Sequence, residues 1–287
     1  MKAPLAAVTM VYNEPEFLPV WLGYYAQMVG RDHCFVIDHG TDDGSTDTLA
    51  CNRLRIPRSP QDDARRARAI GRICAGLLEW YEHVLYCDVD EIVVADPVVF
   101  PSVTSLARAR RARAVTATGF DIIHRPDCEP PLDFTAPIAR QRVALRFSAA
   151  MCKPCLIGAP VRWSPGFHSV EALPPRPDPA LMLFHLRYVD RDKGLVRLAR
   201  TRNQPWVSPD AGSHQRMENS AWSAMLQSMA GLAFEPASLL EDDPAVSLWR
   251  QRIEDEGRSR AEDPYPLDLG LSGDRLWRLP ERFRPVF

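Results

Sequence analysis

Apolar and polar positions along the first half of the chain switch between two periods. The run "AAVTMVY" (6–12) is continuously apolar and predicts a buried strand, whereas "EFLPVWLGYYAQMV" (16–29) spaces its apolar residues by three and four, as a helix does. "HCFVIDHG" (33–40) predicts a second strand running into a turn rich in Gly, Thr, Asp and Ser. "DDARRARAIGRICAGLLEWYE" (62–82) reads as a long amphipathic helix with Ile70, Ile73, Leu77 and Trp80 on its apolar side and Asp62 or Asp63 near its start. "HVLYCDVDEIVV" then predicts a third strand. Strands alternating with helices predict an α/β fold: a mixed, mostly parallel sheet flanked by helices. Further on, "RAVTATGFDII" (113–123) and "ALMLFHLRYV" (180–189) predict strands, and "DRDKGLVRLARTRN" (190–203) a basic helix. Residues 233–287 mix acidic turns, prolines and two tryptophan-containing segments, the pattern of a helical or irregular extension.

Open parallel sheets collect ligands at the carboxyl ends of their strands. Asn13 and Glu14, Asp38, and Asp88 with Asp90 all fall at such predicted ends. In an extended segment side chains at i and i+2 point the same way, so Asp88 and Asp90 are expected to converge. Converged carboxylates repel, and a hard divalent cation such as Mg²⁺ or Mn²⁺ relieves that cost with oxygen ligands alone. The competing interpretation is a solvated turn in which the aspartates cap a helix.

Composition narrows the partners. The 287 residues are 46% hydrophobic and 25% charged with a formal net charge of −2, so nothing general points to nucleic acid, and any anion site has to be local. No apolar run approaches the roughly 18 residues of a membrane span. The first apolar stretch continues into the Asn-Glu strand end, which favours a core strand over a signal peptide. Seven cysteines without disulfide-like spacing fit a reducing cytoplasm. Cys152 and Cys155 form a Cys-x-x-Cys with no second half, which weakens a zinc interpretation. The run "RRARAIGR" (65–72) is expected to be a solvated helix face.

Taken in order, "VTMVYNEPEFLPVWLGYY", "VIDHGTDDGST", "LYCDVDEIVV", "KPCLIGAPVRWSPGFHSV" and "LFHLRYVDRDKGLVRLA" resemble GT-A-fold glycosyltransferases of the family 2 type, in the branch that opens with Asn-Glu and carries Asp-x-Asp-Glu. The resemblance spans about residues 5 to 205, which suggests a GT-A domain over 1–205 and a C-terminal extension over 206–287 packed on it. His39, standing where a small polar residue is more usual, departs from the pattern and leaves nucleotide specificity open.

The resemblance implies roles. Asn13, Glu14, Asp38 and Asp88 would line the nucleotide pocket; Asp88 and Asp90 would hold Mn²⁺ or Mg²⁺ on the donor diphosphate, with His185, or secondarily His168, completing the metal site. Arg187 and Arg191 are candidates for the diphosphate, with Lys193 and Arg197 close by in sequence to assist. Inverting transfer needs a base, for which Asp121, Glu171 and His168 are the candidates. Trp163 is a candidate sugar-stacking residue, or simply packed. The implied function is metal-dependent transfer of a sugar from a nucleotide-diphosphate donor, UDP-sugar favoured, to a glycan, lipid-linked or other hydroxyl acceptor. Its setting would be the cytoplasm or the inner membrane face, met peripherally or through a partner protein. Two alternatives stand beside it: a non-catalytic nucleotide-sugar or glycan-binding module on the same fold, and a haloacid-dehalogenase-type phosphohydrolase. The latter usually carries Asp-x-Asp on its first strand, whereas here two strands precede it.

Overall fold

The computed structural model describes residues 1–239, 243–260, 262–265 and 270–287. The chain begins β1 (Ala3–Val11), α1 (Phe17–Val29), β2 (Cys34–Asp38), β3 (Asn52–Arg55), α2 (Asp63–Leu77), β4 (Tyr81–Tyr86), β5 (Glu91–Ala95), α3 (Val103–Arg110) and β6 (Ala114–Ile122). It continues α4 (Ile138–Gln141), β7 (Ala144–Phe147), β8 (Leu156–Ile157), β9 (Pro177–His185), α5 (Arg191–Asn203), α6 (Asn219–Ala230), β10 (Phe234–Ser238), α7 (Pro244–Ser259) and β11 (Leu276–Arg278).

The described strands form one mixed α/β sheet, ordered β10-β11-β7-β6-β8-β4-β1-β2-β3, with β9 also on β6 and β5 on β9. The block predicted from the first half is parallel throughout: β1 lies between β2 and β4, and β3 extends it beyond β2. Its inner strand β1 is almost wholly buried, which is why its sequence shows no polar alternation. Helix α1 packs Leu18, Trp21 and Tyr25 into the core. Helix α2 starts at Asp62, whose carboxylate accepts from the Arg65 backbone N–H, and buries Ala67, Ile70 and Cys74.

Beyond β4 the pairing turns mostly antiparallel. The two-residue strand β8 pairs antiparallel with both β4 and β6, while β9 runs parallel to β6 and antiparallel to β5. The last part of the chain also joins the sheet, through β11 on β7 and β10 on β11. It is tied to the core by Arg282, which makes a two-pronged ion pair with the fully buried Asp96. Among the described residues no helix is long and apolar enough to cross a membrane.

The two halves meet where registers coincide. His185, the last residue of β9, lies opposite Glu91 of β5 on one side and Asp121 of β6 on the other. Three residues far apart in sequence are thereby set side by side, near the carboxyl ends of β1 and β4.

Candidate functional site

At this end of the sheet the described residues enclose a cavity of about 660 Å³. Its acidic floor comes from two chain reversals. After β1 the backbone turns at Asn13, which takes a left-handed conformation (φ 54°), one that Asn tolerates better than most residues. The turn delivers Glu14 to the cavity, while Asn13 itself exchanges hydrogen bonds with Asp42. After β4 the segment 87–90 is a turn, with the Glu91 N–H donating to the Asp88 carbonyl and the Glu91 carboxylate accepting from the Asp88 N–H. The expected convergence of Asp88 and Asp90 assumed an extended strand here. On the turn the two carboxylates take different partners.

Asp88 is held by Arg66 and by Lys153, whose Nζ lies 3.0 Å away. The same ammonium lies 2.5 Å from Glu91, which is 1% exposed. Burial opposes ionisation of Asp88, yet the adjacent Arg66 and Lys153 hold its pKa below the usual carboxylate range. Asp90 is bonded by Arg197 and lies 3.4 Å from Nε2 of His185. Here too burial is outweighed, by Arg197 and His185, and the Asp90 pKa is pushed well down. His185 Nδ1 lies 2.7 Å from Asp121. Burial alone would make the imidazole less basic, but Asp121 and Asp90 push its pKa up to about 9. Glu14 accepts from Arg197 at 2.9 and 3.1 Å, and burial raises its pKa.

Two glycines bring the cationic elements this close. A side chain on Gly119 of β6 would overlap the Met151 backbone, so its absence lets the 148–153 segment lie over the sheet and present Lys153. A side chain on Gly194 would overlap the Trp222 ring, so its absence lets α5 seat against α6. The N-terminus of α5 is fixed by Asp190, which accepts from the Lys193 N–H. Arg197 and Arg200 then reach back to the β1 exit: Arg197 to Glu14, and Arg200 to Glu16 at 3.0 Å and to the Asn13 carbonyl.

The remaining candidates separate into two groups. Glu14, Asp88, Asp90, Asp121, His168, His185 and Arg187 line the cavity. Asp38 does not: it is completely buried behind it, accepting from the Thr41 N–H, Thr46, Arg53 and Arg55. Asn13 stitches two loops together and also lies off the cavity wall. Glu171 is 40% exposed and 3.5 Å from Arg162, and Arg191 pairs with its neighbour Asp192, so neither is brought into the cavity. Trp163 is packed, with its indole N–H donating to the Pro154 carbonyl. Cys152 and Cys155 are buried free thiols. The "RRARAIGR" run is not uniformly a solvated face: Arg66 turns inward to Asp88 and the Tyr86 hydroxyl. Arg66, Lys153 and Arg200 are absent from the candidates derived from sequence. The signal available was spacing: Arg66 lies one helical turn before the buried Ile70, on the side of α2 that faces the sheet.

The chemistry of this donor set can be compared with that of a divalent-cation site. Asp88, Asp90 and His185 are brought near one another, but both aspartates are engaged by cationic side chains. An imidazole whose pKa is pushed up to about 9 would, moreover, have to give up a proton before it could bind a metal. Among the described residues no group of three or more His, Cys, Asp or Glu side chains is placed to hold a metal ion. As arranged, these residues do not fit Mn²⁺ or Mg²⁺.

No family model matches the chain, and no curated protein does. Among solved structures it is similar to a mannosyltransferase, PcManGT from Pyrobaculum calidifontis in complex with GDP-Man and Mn²⁺. That pair has 12% identity and a TM-score of 0.36, with 91% of this chain and 84% of the other covered. It is also similar to a mannose-1-phosphate geranyltransferase from Thermus thermophilus, at 12% identity and a TM-score of 0.31, with 79% and 67% covered. At such identities and scores the site has to be understood from its own geometry.

Proposed function

We propose that the protein is a glycosyltransferase of GT-A type that takes a nucleotide-diphosphate sugar, UDP-sugar favoured, and passes the sugar to a glycan or other hydroxyl acceptor with inversion. The observation that carries this proposal is the cavity at the carboxyl ends of β1 and β4, where Glu14, Asp88 and Asp90 face Arg66, Lys153 and Arg197. A diphosphate leaving group needs fixed positive charge, and a sugar ring needs acceptors for its hydroxyls; this floor supplies both. Arg187 and Arg200, also in the cavity wall, add further donors for phosphate oxygens.

The acceptor hydroxyl has to lose a proton. Of the three candidate bases, Glu171 lies outside the cavity and Asp121 is engaged by His185. His168, which lines the cavity, is the base in this proposal. Its Nδ1 lies 2.8 Å from the Ala150 carbonyl, which can only accept, so in the neutral ring the lone pair belongs to Nε2. Membrane-face or partner-bound acceptors belong to the same proposal, as does the division into a domain over 1–205 and an extension over 206–287.

The test is calorimetric titration of the full chain with UDP, GDP and their sugars, with and without Mn²⁺. Saturable binding of one nucleoside diphosphate, followed by release of that diphosphate on adding sugar acceptors, is the expected result. Absence of binding across the panel in both conditions would remove the proposal. Binding without turnover would favour the non-catalytic module.

A further inference from the structure

We propose that Cys34 and Cys51 form a reversible dithiol–disulfide pair, which staples the foot of β2 to the foot of β3 when a small-molecule disulfide oxidises it. Neither thiol lines the cavity, so the inference stands apart from the donor-binding reading.

Register places the two residues side by side. β2 and β3 run parallel, with Phe35 opposite Asn52 and Asp38 opposite Arg55, so one step back along each chain sets Cys34 opposite Cys51. The phase of the side chains agrees. Residues two apart share a face of a strand, and Arg53 and Arg55 both reach Asp38, so positions 51, 53 and 55 lie on the face of 34, 36 and 38. Cys34 is buried in the cluster that holds Trp21 and Val36, and the half-buried Cys51 packs against that same cluster, whereas the intervening Phe35 packs against the other one. Neighbouring strands lie about 4.8 Å apart, inside the roughly 4.4 to 6.8 Å between Cα atoms that a disulfide spans.

Both residues are free thiols in this structure, and only Cys51 is within reach of a reagent. It precedes the first residue of the edge strand β3, in a bend rather than in the ladder, so the foot of the strand can adjust without breaking a rung. Burial raises the Cys51 pKa while Arg31 opposes; burial pushes Cys34 up to about 12, with Cys51 adding to it and Arg31 opposing. The Cys51 thiolate therefore attacks first, bonding to one sulfur of the small disulfide and expelling the other half as a thiolate. The Cys34 thiolate then attacks the Cys51 sulfur and expels the second half. Two protein thiols are oxidised, one small disulfide is reduced to two thiols, and the two protein S–H protons pass through water to the expelled thiolates. The raised pKa values make both steps slow at neutral pH and faster in alkali. In reducing surroundings the pair stays open. Once closed, it holds the four-residue β3 at its foot, as Arg53 and Arg55 on Asp38 already hold it at its head.

The experiment incubates the reduced full chain with glutathione disulfide at mildly alkaline pH, as wild type, Cys34→Ala, Cys51→Ala and Cys128→Ala. Wild type and Cys128→Ala should each lose two titratable thiols, yield a non-reduced peptide joining Cys34 to Cys51, and melt about 5 °C higher, because the closed loop restricts the unfolded chain. Dithiothreitol should reverse all three changes. Cys34→Ala and Cys51→Ala should show neither the cross-link nor the shift; if Cys34→Ala does not fold, Cys51→Ala serves alone. Retention of both thiols, a lasting glutathione adduct on Cys51 beside a free Cys34, or a link between other cysteines would overturn the inference. So would a Cys34–Cys51 cross-link that leaves the melting temperature unchanged or lower. None of these outcomes bears on donor binding, which the experiment does not read.

Discussion

Two acidic centres stand on either side of one strand at the same end of the sheet, and they do opposite things. Asp38 ends β2 next to Val11 of β1, and Asp88 follows β4 on the other side of β1. Both carboxylates are held by arginines: Asp38 by Arg53 and Arg55, Asp88 by Arg66, joined there by Lys153. Asp38 is sealed, with the Thr41 N–H and the Thr46 hydroxyl completing its shell, whereas Asp88 and Asp90 open on the cavity. The arginines of Asp38 come from β3, only 15 and 17 residues on, and fold a local turn. The cations of Asp88 and Asp90 come from α2, the 148–153 segment and α5, up to 107 residues away, and close a site. A strand-end aspartate is thus sealed or left open according to what lies beyond it, a closed loop or a cavity.

Exchanging each carboxylate for its amide separates the two centres most sharply. Asp90→Asn is expected to lower sugar transfer by about a thousandfold, roughly 4 kcal/mol of barrier, while the melting temperature moves less, because Arg197 keeps Glu14 and His185 keeps Asp121 as a partner. Asp38→Asn should do the reverse. It takes from Arg53 and Arg55 the buried charge they share, leaving Arg55 the Thr41 carbonyl and Arg53 the exposed Asp47, and should cost about 2 to 4 kcal/mol of stability in denaturant titrations, less than a fully buried pair because both arginines are partly exposed. Nucleotide affinity per folded molecule should stay within about threefold. Loss of binding in a folded Asp38→Asn, with stability kept, would dissolve the distinction.

How much of this was legible follows the same division. The first block of strands and helices was readable because buried parallel strands are uniformly apolar and α1 and α2 keep a helical period. The strand ends carrying Glu14, Asp38, Asp88 and Asp90 were readable with it. Whether a strand-end carboxylate faces a cavity was not, because that depends on residues from elsewhere: Arg53 and Arg55 on the short β3, which has only four residues, or Lys153 brought over Gly119. Position 89 also misled, since Val89 suggests a strand while the chain is already turning. His185 was visible as a lone histidine after an apolar run. Its neighbours Glu91 and Asp121 are set by register across β5, β9 and β6, which no local pattern records. Glu171 and Arg191 looked equivalent to these residues in sequence and lie on the surface.

A smaller effect tests how the long-range centre is assembled. Gly119→Ala would drive a methyl group into the Met151 backbone and push the 148–153 segment outward, carrying Lys153 from Asp88 and Glu91. The expected outcome is a loss of about 1 to 3 kcal/mol of stability with a several-fold weaker nucleotide affinity. Stability and affinity should fall together here, as they do not for Asp38→Asn or Asp90→Asn. Unchanged affinity in the destabilised variant would show that Lys153 is held independently of the segment's seat on β6.

The smallest expected effect belongs to His39, which follows the sealed Asp38 yet lines the cavity. Its Nδ1 lies 2.8 Å from the Arg58 guanidinium, and its Nε2 lies 3.0 Å from the Ser59 hydroxyl and 3.1 Å from the Ser59 backbone nitrogen. The guanidinium and the Ser59 backbone N–H can only donate, one toward each ring nitrogen, so both Nδ1 and Nε2 face donors and a second proton on the ring is disfavoured. Burial, then Arg58, with Arg66 and Arg65 adding to it and Asp38 opposing, lowers the pKa from 6.5 to about 4. The unfolded chain takes up this proton before the folded one does, so the His39 contribution is complete above about pH 6.5 and drains away as the pH falls toward 4. Over that window the stability of wild type should fall more steeply than that of His39→Gln, and the imidazole resonances of His39 should titrate near pH 4. Parallel stability curves, or a midpoint near 6.5, would mean that Arg58 swings away from the ring and that the boundary between the sealed and open centres is looser than its contacts imply.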